Sequence, residues 1–164
     1  MARLEYHALL MAPDSSAELT AYLHRSIPLT AVMGIVTVET SWDAAVLSAP
    51  YQDNINHEGT FFGGSLSALA LLTGFAVLRH RLQVIGRHHR IVIRRNTYTY
   101  QRPATTDVTA RAELDPERWR DLLDQLERRG KGRITVDVVV SDTSDRKVGH
   151  LSGAFALLSA DRRT

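Results

Sequence analysis

Asn54-Ile-Asn-His-Glu-Gly-Thr-Phe-Phe-Gly-Gly-Ser-Leu-Ser-Ala-Leu-Ala-Leu-Leu-Thr-Gly-Phe-Ala-Val-Leu78 is the stretch whose reading decides the fold of this 164-residue chain. A polar loop at residues 54–60 runs through paired glycines into a segment that carries no charge until Arg79. Glycines let a ligand approach the backbone, and the first turn of a helix leaves its N–H groups without intrahelical partners, so such a junction can hold a developing negative charge. Residues 61–78 must also be weighed as a membrane span, which needs about 20 apolar residues. Gly63, Gly64, Ser65, Ser67, Thr73 and Gly74 dilute the run, and a helix that is apolar all round is otherwise a core helix. The segment therefore reads as a buried helix, with no membrane crossing.

Working outward, Ser15 to His24 reads as a helix capped by Asp14 or Ser15, with Glu18 closing the capping box and Pro28 ending it. Residues 32–41 and 43–51 read as two strands around a turn at Ser41-Trp42-Asp43. The buried helix ends near residues 81–86. Residues 91–100 read as a long strand stopped by Pro103, and residues 107–114 alternate apolar and polar positions as a half-buried strand does. Pro116 opens a second helix whose Trp119, Leu122, Leu123 and Leu126 form an apolar stripe, and Gly130 closes it. Residues 134–142 and 147–159 form the last hairpin. About six strands with short connections favour an antiparallel sheet, and one apolar helix needs that sheet curled around it. The expected class is α+β, a hotdog fold in which a curved antiparallel sheet wraps a central buried helix, as a single domain over residues 1–164.

Composition excludes several function classes. Cysteine is absent, which removes disulfide frameworks, thiolate nucleophiles and zinc-finger spacings. Residues 1–7 are interrupted by Glu5 and His7 and lack the apolar core of a signal peptide, so a cytoplasmic protein is expected. The net charge is only +2, yet residues 59–106 hold seven arginines (79, 81, 87, 90, 94, 95 and 102) and no carboxylate. A block of one sign attracts anions, and Arg94 and Arg95 are the candidates for a phosphate-bearing substrate. Lys131 and Arg133 are expected to be balanced by Asp121, Asp124 and Glu127. The arginines come without a recognised nucleic-acid motif or aromatic platform, so nucleic acid is not the expected partner. His88 and His89 are adjacent on a strand and point to opposite faces, so they do not share a metal ion.

The motifs carry a resemblance. Ile27-Pro-Leu29 with Met33-Gly34, Asn54-x-Asn56, Thr60-x-Phe62-x-Gly64-Ser65-Leu66, Leu69-Ala70 and Leu72-Thr73-Gly74, followed by Tyr100 with Pro103 and the basic run before Ile134, resemble the thioesterase family of the hotdog superfamily that also occurs fused behind acetyltransferase domains, the YiiD C-terminal type. The resemblance spans residues 23–158. It implies a homodimer, or a higher homo-oligomer, that hydrolyses acyl thioesters of coenzyme A or acyl carrier protein without a cofactor, its site shared between subunits. Asn54, Thr60, Phe62, Gly63, Leu66 and Leu69 are the candidate substrate-binding positions.

Thioester hydrolysis passes through a tetrahedral oxyanion, and the backbone N–H groups of Gly64 and Ser65 at the helix start are suited to receive it. Many hotdog thioesterases supply a carboxylate from the middle of the central helix. This chain has Leu71, Leu72 and Thr73 there. The remaining candidates are Asn56 for the carbonyl or a water, His57 or Glu58 as general base, and Ser65 or Thr73 to orient the water. A dehydratase or hydratase acting on 3-hydroxyacyl thioesters needs a paired His and acid, which His57-Glu58 imitates. The missing helix acid also leaves room for a non-catalytic protein that binds acyl thioesters.

Overall fold

The computed structural model describes residues 14–159; the N-terminal stretch read above for a targeting signal lies outside the described residues. Helix α1 (Ser16–Ser26) opens with a complete capping box: the Ser15 side chain accepts from the Glu18 N–H, and Glu18 accepts from the Ser15 N–H at 2.9 Å. Asp14 is thereby free of capping duty and pairs with Arg79 at 2.8 Å.

Pro28 does not simply end α1. It begins a second, short helix, α2 (Leu29–Val32), whose last residue is the one at which the strand over residues 32–41 was expected to start. The Thr30 hydroxyl donates to the Ile27 carbonyl at 2.8 Å and stabilises that turn locally. Gly34, at φ +63°, then reverses the chain. A Cβ at Gly34 would lie 2.7 Å from Asp53 Oδ2, so this glycine also lets the loop after β2 close against the α2 corner. Strand β1 (Val36–Thr40) starts only after that reversal, and β2 (Ala44–Ala49) follows.

Helix α3 (Gly63–Val84) is the expected central helix. Strands β3 (His89–Tyr100) and β4 (Val108–Glu113) follow, then α4 (Pro116–Arg129), β5 (Lys131–Asp142) and β6 (Lys147–Ser159). The six strands form one antiparallel sheet in the order β1-β2-β4-β5-β6-β3. Val136, Val138 and Val140 of β5, with Leu151, Phe155 and Leu157 of β6, turn inward onto Leu69, Ala70, Ala76 and Val77 of α3. This curved sheet around a long helix is the hotdog architecture.

Two devices set the helix in place. Arg81 is almost fully buried between the rings of Trp42 and Trp119, 4.7 and 5.2 Å from their centroids, and its Nε donates to the Trp42 carbonyl at 2.6 Å. A guanidinium is tolerated there because rings and carbonyls replace its water. At the other end, the Tyr100 hydroxyl donates to the Gly63 carbonyl at 3.0 Å. The α3 start thus lies at the end of β3, and α3 runs antiparallel to that strand.

Coverage of α3 is incomplete on one side. Ser67, Ala68, Leu71, Phe75 and Arg79 are only partly buried and Gly64 is exposed, a stripe at helical spacing. Beside it, β3 closes the sheet as a 12-residue strand with no neighbour on its outer edge. The first half of the interior strand β5, which β4 does not reach, is bordered by α4, where Gln125 exchanges two hydrogen bonds with the Arg133 backbone. No helix among the described residues is long and apolar enough to cross a membrane.

Candidate functional site

The loop between β2 and α3 is fixed by its own side chains. Asn56 Oδ1 accepts from the N–H groups of Glu58 and Thr60 at 2.9 and 3.1 Å, and its Nδ2 donates to Thr60 Oγ1 at 3.0 Å. Asn54 is buried, and its Nδ2 donates to the carbonyls of Met33 and Pro50 at 2.9 and 2.8 Å. Tyr51 donates its hydroxyl to the Gly59 carbonyl at 2.6 Å. The two asparagines therefore hold the loop to α2 and to itself, which is how short amide side chains organise turns.

Below this loop the N–H of Phe61 donates to the Ala104 carbonyl and that of Phe62 to the Asn54 carbonyl, at 2.8 and 2.7 Å. Phe62 occupies the cap position of α3 without providing a side-chain acceptor. The first helical N–H to find an acceptor is that of Leu66, on the Phe62 carbonyl at 3.1 Å. Those of Gly63, Gly64 and Ser65 have none among the described residues, and no carboxylate occupies the first turn. Three convergent donors at the positive end of a helix form an anion-receptive corner. The glycines serve packing there: a Cβ at Gly64 would collide with the Phe62 ring, and one at Gly63 would come within 3.0 Å of the Tyr100 ring.

Ile55, Phe62 and Tyr100 surround this corner with half-exposed apolar surface. Leu29 and Val32 of α2 add to that end of the molecule, brought in by the Asn54 bond to Met33. Tyr98, which the sequence reading did not single out, lies 4.5 Å from Tyr100 ring to ring. Its hydroxyl is buried without a partner, and burial raises its pKa well above the usual phenol range. The signal for it was the Tyr-x-Tyr alternation, which places both rings on one face.

The other sequence candidates are dispersed. His57 Nε2 and Glu58 Oε1 meet at 3.1 Å, but the side chains are 86% and 73% exposed. Thr60 belongs to the loop, while Leu66 and Leu69 point into the core. Thr73 is fully buried and its hydroxyl donates to the Leu69 carbonyl at 2.8 Å; at about 1.5 Å per residue it stands more than two turns along the helix from Gly64. Arg94 and Arg95 are exposed on the outer face of the sheet, away from α3. There they meet Arg133 around a cavity of about 310 Å³, and Arg94 borders a second one of about 530 Å³ with Arg129, Lys131 and Arg133. Lys131 and Arg133 are not balanced as expected: among the described residues neither forms an ion pair, and Glu127 pairs instead with Arg87 at 3.0 Å. No group of three or more metal-ligating side chains occurs among the described residues.

A further cavity, of about 370 Å³, lies at the opposite end of the open α3 stripe, between Phe75, Arg79 and Gln83 of the helix and the first residues of β3. His89 lines it with Nδ1 buried and unpartnered. Burial, together with Arg87 and His88, lowers the His89 pKa and favours the neutral ring.

Solved structures similar to this one share its fold. A protein of unknown function from Chlorobaculum tepidum TLS superposes with a TM-score of 0.82 at 23% identity, over 88% of this chain and 94% of that one. A "putative thioesterase" from Shewanella oneidensis gives 0.79 at 22%, over 87% and 96%. A thioesterase from Haemophilus influenzae gives 0.73 at 15%, over 92% and 94%. No curated protein matches the chain. The family model described as "Putative thioesterase (yiiD_Cterm)" matches residues 16–159, which takes in the sheet, the central helix and the glycine start alike, and the chain belongs to that family.

Proposed function

We propose that this chain hydrolyses an acyl thioester of coenzyme A or of an acyl carrier protein, working as a homodimer in the cytoplasm. The observation that carries the reading is the uncapped glycine start of α3, with three free N–H groups inside an apolar rim. Water adds to the thioester carbonyl carbon, and the carbonyl oxygen takes up negative charge. The N–H groups of Gly64 and Ser65 receive that oxyanion. Removing one such donor costs about 10²–10³ in rate. Asn54, Asn56 and Thr60 keep the loop shaped, while Phe62 and Gly63 line the entrance. Arg94 and Arg95, with the free cations beside them, supply attraction for the carrier's phosphates or acidic surface.

The open stripe of α3 and the unpaired β3 edge support the dimer. Both lie on the same side of the protomer, and a second copy added through β3 would pair the edge and cover the stripe. The test is free-thiol release across a panel of acyl-CoA and acyl-carrier substrates of varied chain length and aromatic character. Turnover of at least one class is expected, and acyl-thioester binding with no thiol released from any of them would defeat the reading.

A further inference from the structure

Hydrolysis at the α3 start needs a group that takes a proton from water, and neither the first turns of the helix nor the loop encloses one; the buried His80 of α3 stands more than four turns along from Gly64. Leu71, Leu72 and Thr73 occupy the middle of α3. His57 and Glu58 lie in solvent and bond to each other. The inner face of the sheet offers another titratable side chain beside the open stripe. It is His89, at the opposite end of α3 from the glycines of its own protomer.

A second copy paired through the β3 edge would bring this residue near a different helix start. Before the bulge between Ile93 and Arg95, Ile91 and Ile93 pair with the buried Leu157 and Phe155, so odd positions face the helix. His89 shares that parity. After the bulge the even positions do so, with Tyr98 and Tyr100 opposite the buried Leu151 and Gly149. Two copies of β3 paired antiparallel about the strand's midpoint, between Arg94 and Arg95, set residue 89 of one opposite residue 100 of the other. Opposed residues project to the same face, with Cα atoms about 5 Å apart. Tyr100 is bonded to Gly63 of its own helix start, so His89 arrives beside the free N–H groups of the second copy. The same two-fold lays the Phe75–Arg79 end of one α3 stripe against the Gly64 end of the other. Face and stripe agree with that pairing, which also sets Arg94 of each copy opposite Arg95 of the other on the outer face.

We propose that His89 of one protomer is the general base for a thioester held at the α3 start of the other. The proposal rests on the hydrolysis reading above and supplies the group which that reading lacks. The imidazole takes a proton as the water oxygen bonds to the carbonyl carbon, and the carbonyl electron pair moves onto the oxygen held by Gly64 and Ser65. Collapse of the adduct breaks the C–S bond, and the imidazolium returns its proton to the leaving thiolate. One water is consumed, and one acid and one thiol are formed. The groups around His89 suit a base. Arg79, Gln83, Arg87, His88 and Arg90 line its cavity and no carboxylate does, while Asp14 is held on Arg79, so a neutral ring is favoured.

The test uses full-length protein and an acyl-CoA substrate that the parent hydrolyses. His89→Gln is expected to lower kcat by about a hundredfold, within the range for a lost general base, with little change in KM. Ser65→Pro removes a backbone donor at a helix-start position where proline is tolerated, and is expected to be comparably impaired. Co-refolding the two variants is expected to restore about a quarter of parental activity, because half of the dimers are mixed and one of their two sites carries neither defect. Should His89→Gln fold poorly, His89→Ala is expected to regain at least about tenfold of its lost rate when imidazole is added. Parental kcat in a folded His89→Gln, or mixed dimers without recovery, overturns the proposal and leaves the hydrolysis reading standing. A parent that releases thiol from no substrate overturns both.

Discussion

Ser65 separates what a backbone donor does from what a side chain does. Its hydroxyl makes no hydrogen bond with the described residues, whereas its N–H is one of three free donors at the α3 start. Ser65→Pro should lower kcat/KM by about a hundredfold, and Ser65→Ala, which keeps the N–H, by about tenfold less, as measured by thiol release. Equal effects would move the function from the backbone to the hydroxyl. His57→Ala and Glu58→Gln should each change kcat/KM by less than about threefold, because the pair is solvated and exposed ion pairs carry little energy. A loss beyond tenfold in either, read in the same assay, would make the loop the source of the base. The glycine pair was legible in the sequence because it interrupts an uncharged run. The wiring of Asn54 and Asn56 was not, since an asparagine that bonds carbonyls across a loop and one that faces substrate are identical on the page.

At the scale of elements, the sequence was most legible where periodicity was long. α3, α4 and the β5–β6 hairpin were readable from composition and alternation. The α2 corner was misread because Val32 and Ile35 have strand character while Pro28 and Thr30 set a helical turn locally. The β3 bulge was invisible for a similar reason: it changes which parity faces the helix without any change in composition. Helix α3 also carries a pH dependence. His80 is buried, its Nδ1 has no partner, and burial lowers its pKa, with Asp14 opposing. Well above 6.5 the folded and unfolded states both hold a neutral ring, so stability is unaffected. As pH falls through 6.5 the unfolded chain takes a proton that the folded chain resists, so stability falls. Thermal denaturation of His80→Gln should therefore show a shallower loss of Tm on the acid side than the parent, and parallel curves would assign that loss to other groups. On the outer face, charge reversal by Arg94→Glu should raise KM, and the parent's KM should rise with salt, since exposed charges are screened within about 8 Å at physiological ionic strength. A KM insensitive to both would return the patch to solvent.

For the whole molecule, the protomer in isolation is unfinished on one side. A 12-residue edge strand offers unpaired backbone groups to another strand, and proteins normally cover or blunt such edges. Within residues 89–100 no proline interrupts the edge, which only the bulge between Ile93 and Arg95 and the exposed Arg90, Arg94 and Arg95 blunt, and the neighbouring α3 stripe presents Ala68, Leu71 and Phe75 where a surface helix would carry charge. A second copy answers both features at once, which a helix–helix or an edge–edge contact alone would not. Sedimentation at micromolar concentration should therefore give at least twice the 18.3 kDa of the chain. Leu71→Glu tests the contact at the rim of the protomer core, where Leu71 is only partly buried in the single chain. Burying its carboxylate against a second copy costs several kcal/mol of desolvation, an order of magnitude comparable to a good part of a micromolar association energy, about 8 kcal/mol. The variant should sediment as a folded protomer, with the parent's circular dichroism, and lose thioesterase activity together with its dimer. A Leu71→Glu protein that stays dimeric would place the contact elsewhere, and a monomer with full parental kcat/KM would mean that each chain holds a complete site of its own.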